Sequence, residues 1–152
     1  MPSTTSVMRP KDDAEYLERM TKCIFTAGLN WNVVDKKWPN FQKAFFGFAP
    51  IKVANLSGAD IRELMSDQGI VRNERKISAA VNNASEFLRL QEKFGSFQRY
   101  IASFGKDEKR LQNDIQDRFQ QLGASTARMF LWSVGYELTP NAEEKKWMAE
   151  HQ

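Results

Sequence analysis

Cysteine and histidine are almost absent from this chain: Cys23 and His151 are the only examples in 152 residues. A lone thiol excludes an intramolecular disulfide and fits a reducing compartment. One cysteine and one histidine also exclude a zinc site built from Cys and His within the chain. No apolar run approaches the ~18 residues that a bilayer-crossing helix requires. The first eight residues are polar and lack the apolar segment of a secretory signal. Glycine and proline are sparse too, with 8 and 5 copies, and no stretch of them is long enough to divide the chain into domains. These absences predict a soluble, cytoplasmic protein with no cofactor, no metal and no membrane partner. Charge of one sign is also scarce: 22 Lys and Arg face 19 Asp and Glu, a net of +3. Such a mild excess permits a polyanionic partner without demanding one.

What is present is bulky core material, with 11 Phe and 4 Trp. A chain of this length can bury about two-thirds of its unfolded surface in one domain. Val and Ile are thinly spread, no long stretch alternates with period two, and apolar residues recur at three and four. The fold class is therefore all-α, a single compact multi-helix domain over 12–152 behind a flexible leader over 1–11. Asp12 or Asp13 caps a first helix that Gly28 ends. A second helix is expected over 31–38, closed by Pro39, and a third over 41–46. Pro50 opens a short helix, and Ser57 with Asp60 caps the next. A long helix starts near Asn73 and ends at Gly95, and Ser96 caps an aromatic one. A charged amphipathic helix covers 107–122 up to Gly123. Ser125 caps another that Gly135 stops, and Thr139-Pro140 opens a last polar helix.

One segment carries possible chemistry. The apolar pattern of Ile61, Leu64 and Met65 stops at Asp67-Gln-Gly69, turns through Ile70 and Val71, and restarts at Asn73. Two helices joined by a Gly-centred hairpin expose backbone N–H groups, and the second helix adds the positive end of its dipole. With Arg72, Arg75 and Lys76 alongside, the hairpin could hold a nucleic-acid phosphate. An ordinary corner between helices with solvated charges fits the same pattern.

The order of elements then becomes specific. The string Ala27-Gly-Leu-Asn-Trp31 leads through Phe41, Phe45 and Phe48-x-Pro50-x-Lys52-Val53-Ala54 to Asp67-x-Gly69-Ile70-Val71-Arg72-x-x-x-Lys76-Ile77 and Asn83-Ala84. This resembles the DNA-3-methyladenine glycosylase I family of the helix-hairpin-helix superfamily, without gaps from about Asp12 to Leu90. The resemblance implies base excision: the damaged nucleotide is turned out of the stack and its N-glycosidic bond hydrolysed. The implied partner is double-stranded DNA carrying an alkylated or damaged purine, and the implied state a monomer. Trp31 falls on the pocket tryptophan that stacks on the extruded base. Gly28 and Leu29 fall on the turn beside the gap left in the duplex. Gly69, Ile70, Val71 and Arg72 fall on the hairpin whose amides grip a phosphate, and Lys76 matches as well.

The chain also departs from that family. Cys23 aligns with the pocket glutamate that reads the base, so the catalytic residue is unknown and Cys23 joins Trp31 as a base-binding position. A thiol offers neither the acceptor strength nor the negative charge of a carboxylate, so Cys23→Glu is expected to raise activity. Phe25 and Thr26 replace two glutamines. The N-terminal tyrosines and first zinc ligands would precede or coincide with Met1, and Pro140 and Asn141 occupy the region of the distal ligands. Glu74 and Arg75 replace a basic residue and a glycine at the hairpin. Cys23 reads as a buried, inert thiol rather than a nucleophile, because the only histidine lies at the chain end. Glu86, Gln91 and Glu92 lie where the superfamily elsewhere places a catalytic aspartate, and both glutamates are expected to face solvent. Three readings follow: a diverged glycosylase, a catalytically silent DNA-binding relative, or a helical protein that has left DNA.

Overall fold

The computed structural model describes residues 9–151, and among these there are α-helices and one 3-10 turn but no strand. The helices are α1 (Asp13–Thr26), α2 (Trp31–Ala44), α3 (Pro50–Ala54), α4 (Gly58–Leu64), α5 (Glu74–Phe94), α6 (Phe97–Ala102), α7 (Glu108–Arg118), α8 (Ala124–Ser133) and α9 (Ala142–Glu150); the 3-10 turn is Phe46–Phe48. Most boundaries follow from capping chemistry. Asp12, Asn73, Ser96, Asp107 and Asn141 each accept a first-turn N–H through the side chain, which satisfies a donor the helix leaves open. Ser57 and Asp60 form the expected reciprocal box at α4. Of the leader expected over 1–11, residues 1–8 lie outside the described residues; Pro10 is buried, and the Arg9 side chain lies over Gly135.

Helix α1 is the hub, packing against α2, the 3-10 turn, α3, α5, α6 and α8. Helix α5 lies along α3, burying Ile77, Ala80, Val81, Ala84, Phe87 and Leu90 at helical spacing. Within one continuous core the aromatic rings form two groups. In one, Trp38 stacks on Phe48 at 5.4 Å and 5° between planes, with Phe25, Phe41 and Phe45 completing the group. In the other, Phe87 stacks on Phe97 at 4.5 Å, surrounded by Tyr16, Tyr100, Phe119 and Phe130. Each well-oriented ring pair adds about 0.5–1.5 kcal/mol beyond the area it buries.

Four expectations are corrected here. Ser125 does not cap α8 but lies inside it, behind Gly123, which caps without a side-chain bond. Pro39 does not close α2, which runs on to Ala44 and absorbs the helix expected over 41–46. Trp38 donates its indole N–H to Glu18 at 2.8 Å and stacks on Phe41, so tertiary packing holds the helix on both sides of the proline. Pro39 itself is on the exposed side, where water can satisfy the freed carbonyl. Helix α7 stops at Arg118 rather than 122, because buried Asn83 claims the next backbone: it accepts from Gln120 N and donates to Gln120 O. Finally, Glu86 does not face solvent. It is 9% exposed and pairs with Arg118 and Arg89.

Candidate nucleic-acid interface and base pocket

The end of α1 and the start of α2 make one side of the site. Ala27 closes α1, and Gly28 takes φ +78°, a left-handed conformation that reverses the chain in two residues. Asn30 then caps α2, whose first residue is Trp31. The reversal leaves Leu29 and Trp31 exposed at 44% and 47%, with Val33 beside them at 45%. Three large apolar side chains thus meet water on one short segment.

The hairpin between α4 and α5 forms the second side, and its internal bonding limits what it can offer a ligand. The Gly69 N–H is already used, donating to Asp67 Oδ1 at 2.8 Å, and Ile70 N donates to Asp67 O. Ile70 is fully buried and anchors the turn in the core. Among the described residues the N–H groups of Val71 and Arg72 have no acceptor, and both precede the cap of α5. The available amides are thus later in the hairpin than Gly69 and Ile70. Gly69 matters through space: a Cβ there would lie 3.0 Å from Asp67 Oδ1 and 3.1 Å from the Asn40 amide, which itself bonds Gly69 O. Lys37 donates to Gln68 O at 3.3 Å, so α2 braces the turn twice.

Lys76 joins the two sides. Its Nζ donates to Ala27 O at 2.8 Å, across 49 residues of sequence. Burial lowers its pKa from the ordinary lysine value, as expected of an ammonium partly withdrawn from water. Lys76 is therefore committed to holding the Gly28 turn against the hairpin helix, a role the sequence did not reveal. Arg72 and Arg75 remain exposed, and Glu74 between them is exposed too.

Trp31 lines an open cavity of about 840 Å³ between the start of α2, α8 and α9. Trp147, Met129, Arg128, Glu143 and Glu144 line it as well. Arg128 and Glu144 form a fork, Nε to Oε2 at 2.9 Å and Nη2 to Oε1 at 2.6 Å, with both side chains about one-seventh exposed. The Arg128 hydrogen bonds hold the Glu144 carboxyl below the usual carboxylate range.

Cys23 is elsewhere. It is 3% exposed, it does not line the Trp31 cavity, and its thiol lies against Ser133 of α8. Burial pushes its pKa up to about 12, so it is a neutral, inert thiol at physiological pH. Phe25 and Thr26, where the resemblance places glutamines, are both buried. The position that the resemblance aligns with a base-reading glutamate is thus buried in the core. Gln91 donates to Asp13, and with Glu86 in its ion-pair network neither lines the Trp31 cavity. No group of three or more His, Cys, Asp or Glu among the described residues is placed to hold a metal. The zinc of the resemblance does not fit here: Asn141, in the region of the distal ligands, caps α9 and bonds Glu144. No described helix is long and apolar enough to cross a membrane.

An all-α domain with a braced Gly hairpin, tied through Lys76 to an exposed indole turn, defines a helix-hairpin-helix protein. More narrowly, the chain belongs to the methyladenine glycosylase family, whose profile matches residues 6–129. DNA-3-methyladenine glycosylase 1 of Escherichia coli K12 is 37% identical over 78 residues, which are 51% of this chain and 42% of that protein. The Haemophilus influenzae DNA-3-methyladenine glycosylase is 35% identical over 91 residues, 60% of this chain and 49% of its own length. The matched segments therefore span less than half of these two relatives. The fold is similar to 3-methyladenine DNA glycosylase I from Staphylococcus aureus, with TM-score 0.77 and 26% identity over 88% of this chain and 82% of that one. A variant of 3-methyladenine DNA glycosylase I in complex with 3-methyladenine aligns with TM-score 0.76 at 26% identity, covering 90% and 86% of the two chains.

Proposed function

We propose that this protein is a DNA glycosylase that removes an alkylated purine from double-stranded DNA, acting as a monomer in the cytoplasm. The observation that carries the reading is the Lys76–Ala27 bond, which ties the Trp31 turn to the hairpin. In this reading the Val71 and Arg72 amides and the Arg72 guanidinium take a backbone phosphate, and Leu29 at its exposed turn fills the gap left by an everted nucleotide. Gly69, Ile70 and Lys76 shape the hairpin instead of touching DNA. Trp31 stacks on the extruded base, where cation–π attraction contributes about 0.5–2 kcal/mol for a positively charged ring.

The chemistry asks little of the protein. An N3-methylated adenine in DNA is cationic, so when the C1′–N9 bond breaks its electron pair neutralises the departing ring. Water adds to C1′ and releases a proton to solvent, leaving an abasic sugar and a neutral base. A cationic leaving group needs no general acid, which is why loss of the glutamate at position 23 is compatible with catalysis.

The test is release of 3-methyladenine from methylated duplex DNA, together with a salt titration of duplex binding. The reading predicts release, and binding that weakens as salt rises with a slope of about −0.9 per phosphate neutralised. Salt-sensitive binding without release would identify a silent DNA-binding relative. Neither binding nor release would mean the protein has left DNA.

A further inference from the structure

Helix α9 lies beyond the span that the family profile matches, yet with its cap Asn141 it supplies four of the nine residues that line the cavity Trp31 opens into. Four properties of this cavity converge on one kind of ligand. Its volume of about 840 Å³ is within the range of small-molecule sites and can take a purine with its sugar. Two indoles line it, Trp31 and Trp147, and both are partly exposed. The His151 ring stacks on one face of Trp147 at 4.2 Å and 13°, which leaves the other face for a ligand. The charges of the lining are unbalanced: Arg128 is neutralised by its fork to Glu144, and Glu143 is exposed with no ion-pair partner among the described residues.

A flat neutral ligand would use the indoles and gain nothing from Glu143. A flat cation uses both, since the indole faces and the carboxylate attract positive charge together. We infer that α9 completes a base-recognition site for cationic, N-alkylated purines, with Glu143 supplying the negative charge that position 23 has lost and Trp147 a second aromatic wall. The inference rests on the glycosylase reading and deepens it. The capping box at Asn141 is what makes it structurally possible. Glu144 closes that box and grips Arg128 of α8, which fixes α9 and so presents Glu143 and Trp147 to the cavity. The same charge favours the cationic substrate over the neutral base that forms once the glycosidic bond breaks, so it also assists release.

The test is a tryptophan-fluorescence titration with two small probes, 3,9-dimethyladeninium as the fixed cation and 9-methyladenine as its neutral counterpart. Wild type, Glu143→Gln and Trp147→Phe are compared, and base release from methylated DNA is measured on the same preparations. Wild type should prefer the cation by about tenfold; Glu143→Gln should reduce that preference to about twofold while leaving the neutral probe unaffected. Trp147→Phe should weaken both probes. Equal affinity of wild type for the two probes, or an unchanged preference in Glu143→Gln, overturns the inference even if wild type releases base. Cation preference that depends on Glu143, with no base release, sustains the site and overturns the glycosylase reading instead.

Discussion

The hairpin side of this molecule and its cavity side differ in how far they keep the pattern of the resemblance. At the hairpin and the Gly28 turn, the spacing, the glycines and the exposed Leu29 and Trp31 follow the family pattern, and the structure joins them through Lys76. On the cavity side, Cys23, which the resemblance aligns with a base-reading carboxylate, is sealed in the core against Ser133. Trp31 keeps a cavity, but the cavity's other walls come from α8 and α9. In the glycosylase reading proposed above, the phosphate grip and the base pocket rest on different physics. The grip depends on the backbone amides that the turn leaves free. A pocket for a good leaving group needs only flat surfaces and the right sign of charge.

The largest effect expected is at Cys23. Because the site is 3% exposed and away from the cavity, Cys23→Glu should bury an unpaired carboxylate and destabilise the fold by about 3 kcal/mol or more. This reverses the gain of activity that the alignment alone suggests. Denaturant unfolding checks the stability, and an excision rate above wild type would restore the aligned position to the pocket.

Next comes the support of α9. Glu144→Gln removes the charged half of a nearly buried fork and should cost about 2 kcal/mol at neutral pH. The Glu144 carboxyl is held below its ordinary pKa by Arg128, so its stabilisation is fully present above the unfolded carboxylate value. It is lost as pH falls from there through the depressed folded value. Wild type and Glu144→Gln should therefore converge in stability in acid, with the gap opening as pH rises from the depressed folded value and complete above about pH 4–5. A constant gap across pH would show that the fork is not the cause.

Lys76→Met sharpens the comparison from the other side. It should cost about 1–2 kcal/mol and lower duplex affinity and excision together, because it releases the turn from the hairpin. Loss of excision alone would assign Lys76 to the pocket. The smallest effect is at Arg72: Arg72→Ala should reduce the salt slope of duplex binding by about one phosphate contact, uniformly across sequences.

Local chemistry made much of this fold readable in advance. Asp12, Ser57, Asn73 and Ser96 are side chains that cap, and Gly28, Gly95 and Gly135 take positive φ where helices end. Pro39 and the end of α7 misled because contacts distant in sequence decide them: Trp38 with Glu18, and Asn83 with Gln120. Of the candidate site, the turn before Trp31 and the hairpin between α4 and α5 were legible as local structure. The commitment of Gly69 N–H to Asp67, the burial of Glu86 and the contribution of α9 were not. Each depends on partners that periodicity cannot bring together, and the polar pattern of α9 reads as a solvated end helix.

In the glycosylase reading, Trp31 and the hairpin act on one everted nucleotide from opposite ends. Trp31→Ala, measured for excision of 3-methyladenine and for duplex affinity on one preparation, tests it most directly. Excision should fall by about 10- to 100-fold while duplex affinity changes by less than about twofold, since base stacking is lost and the phosphate grip is not. Equal loss of both, or excision that survives intact, would contradict the claim.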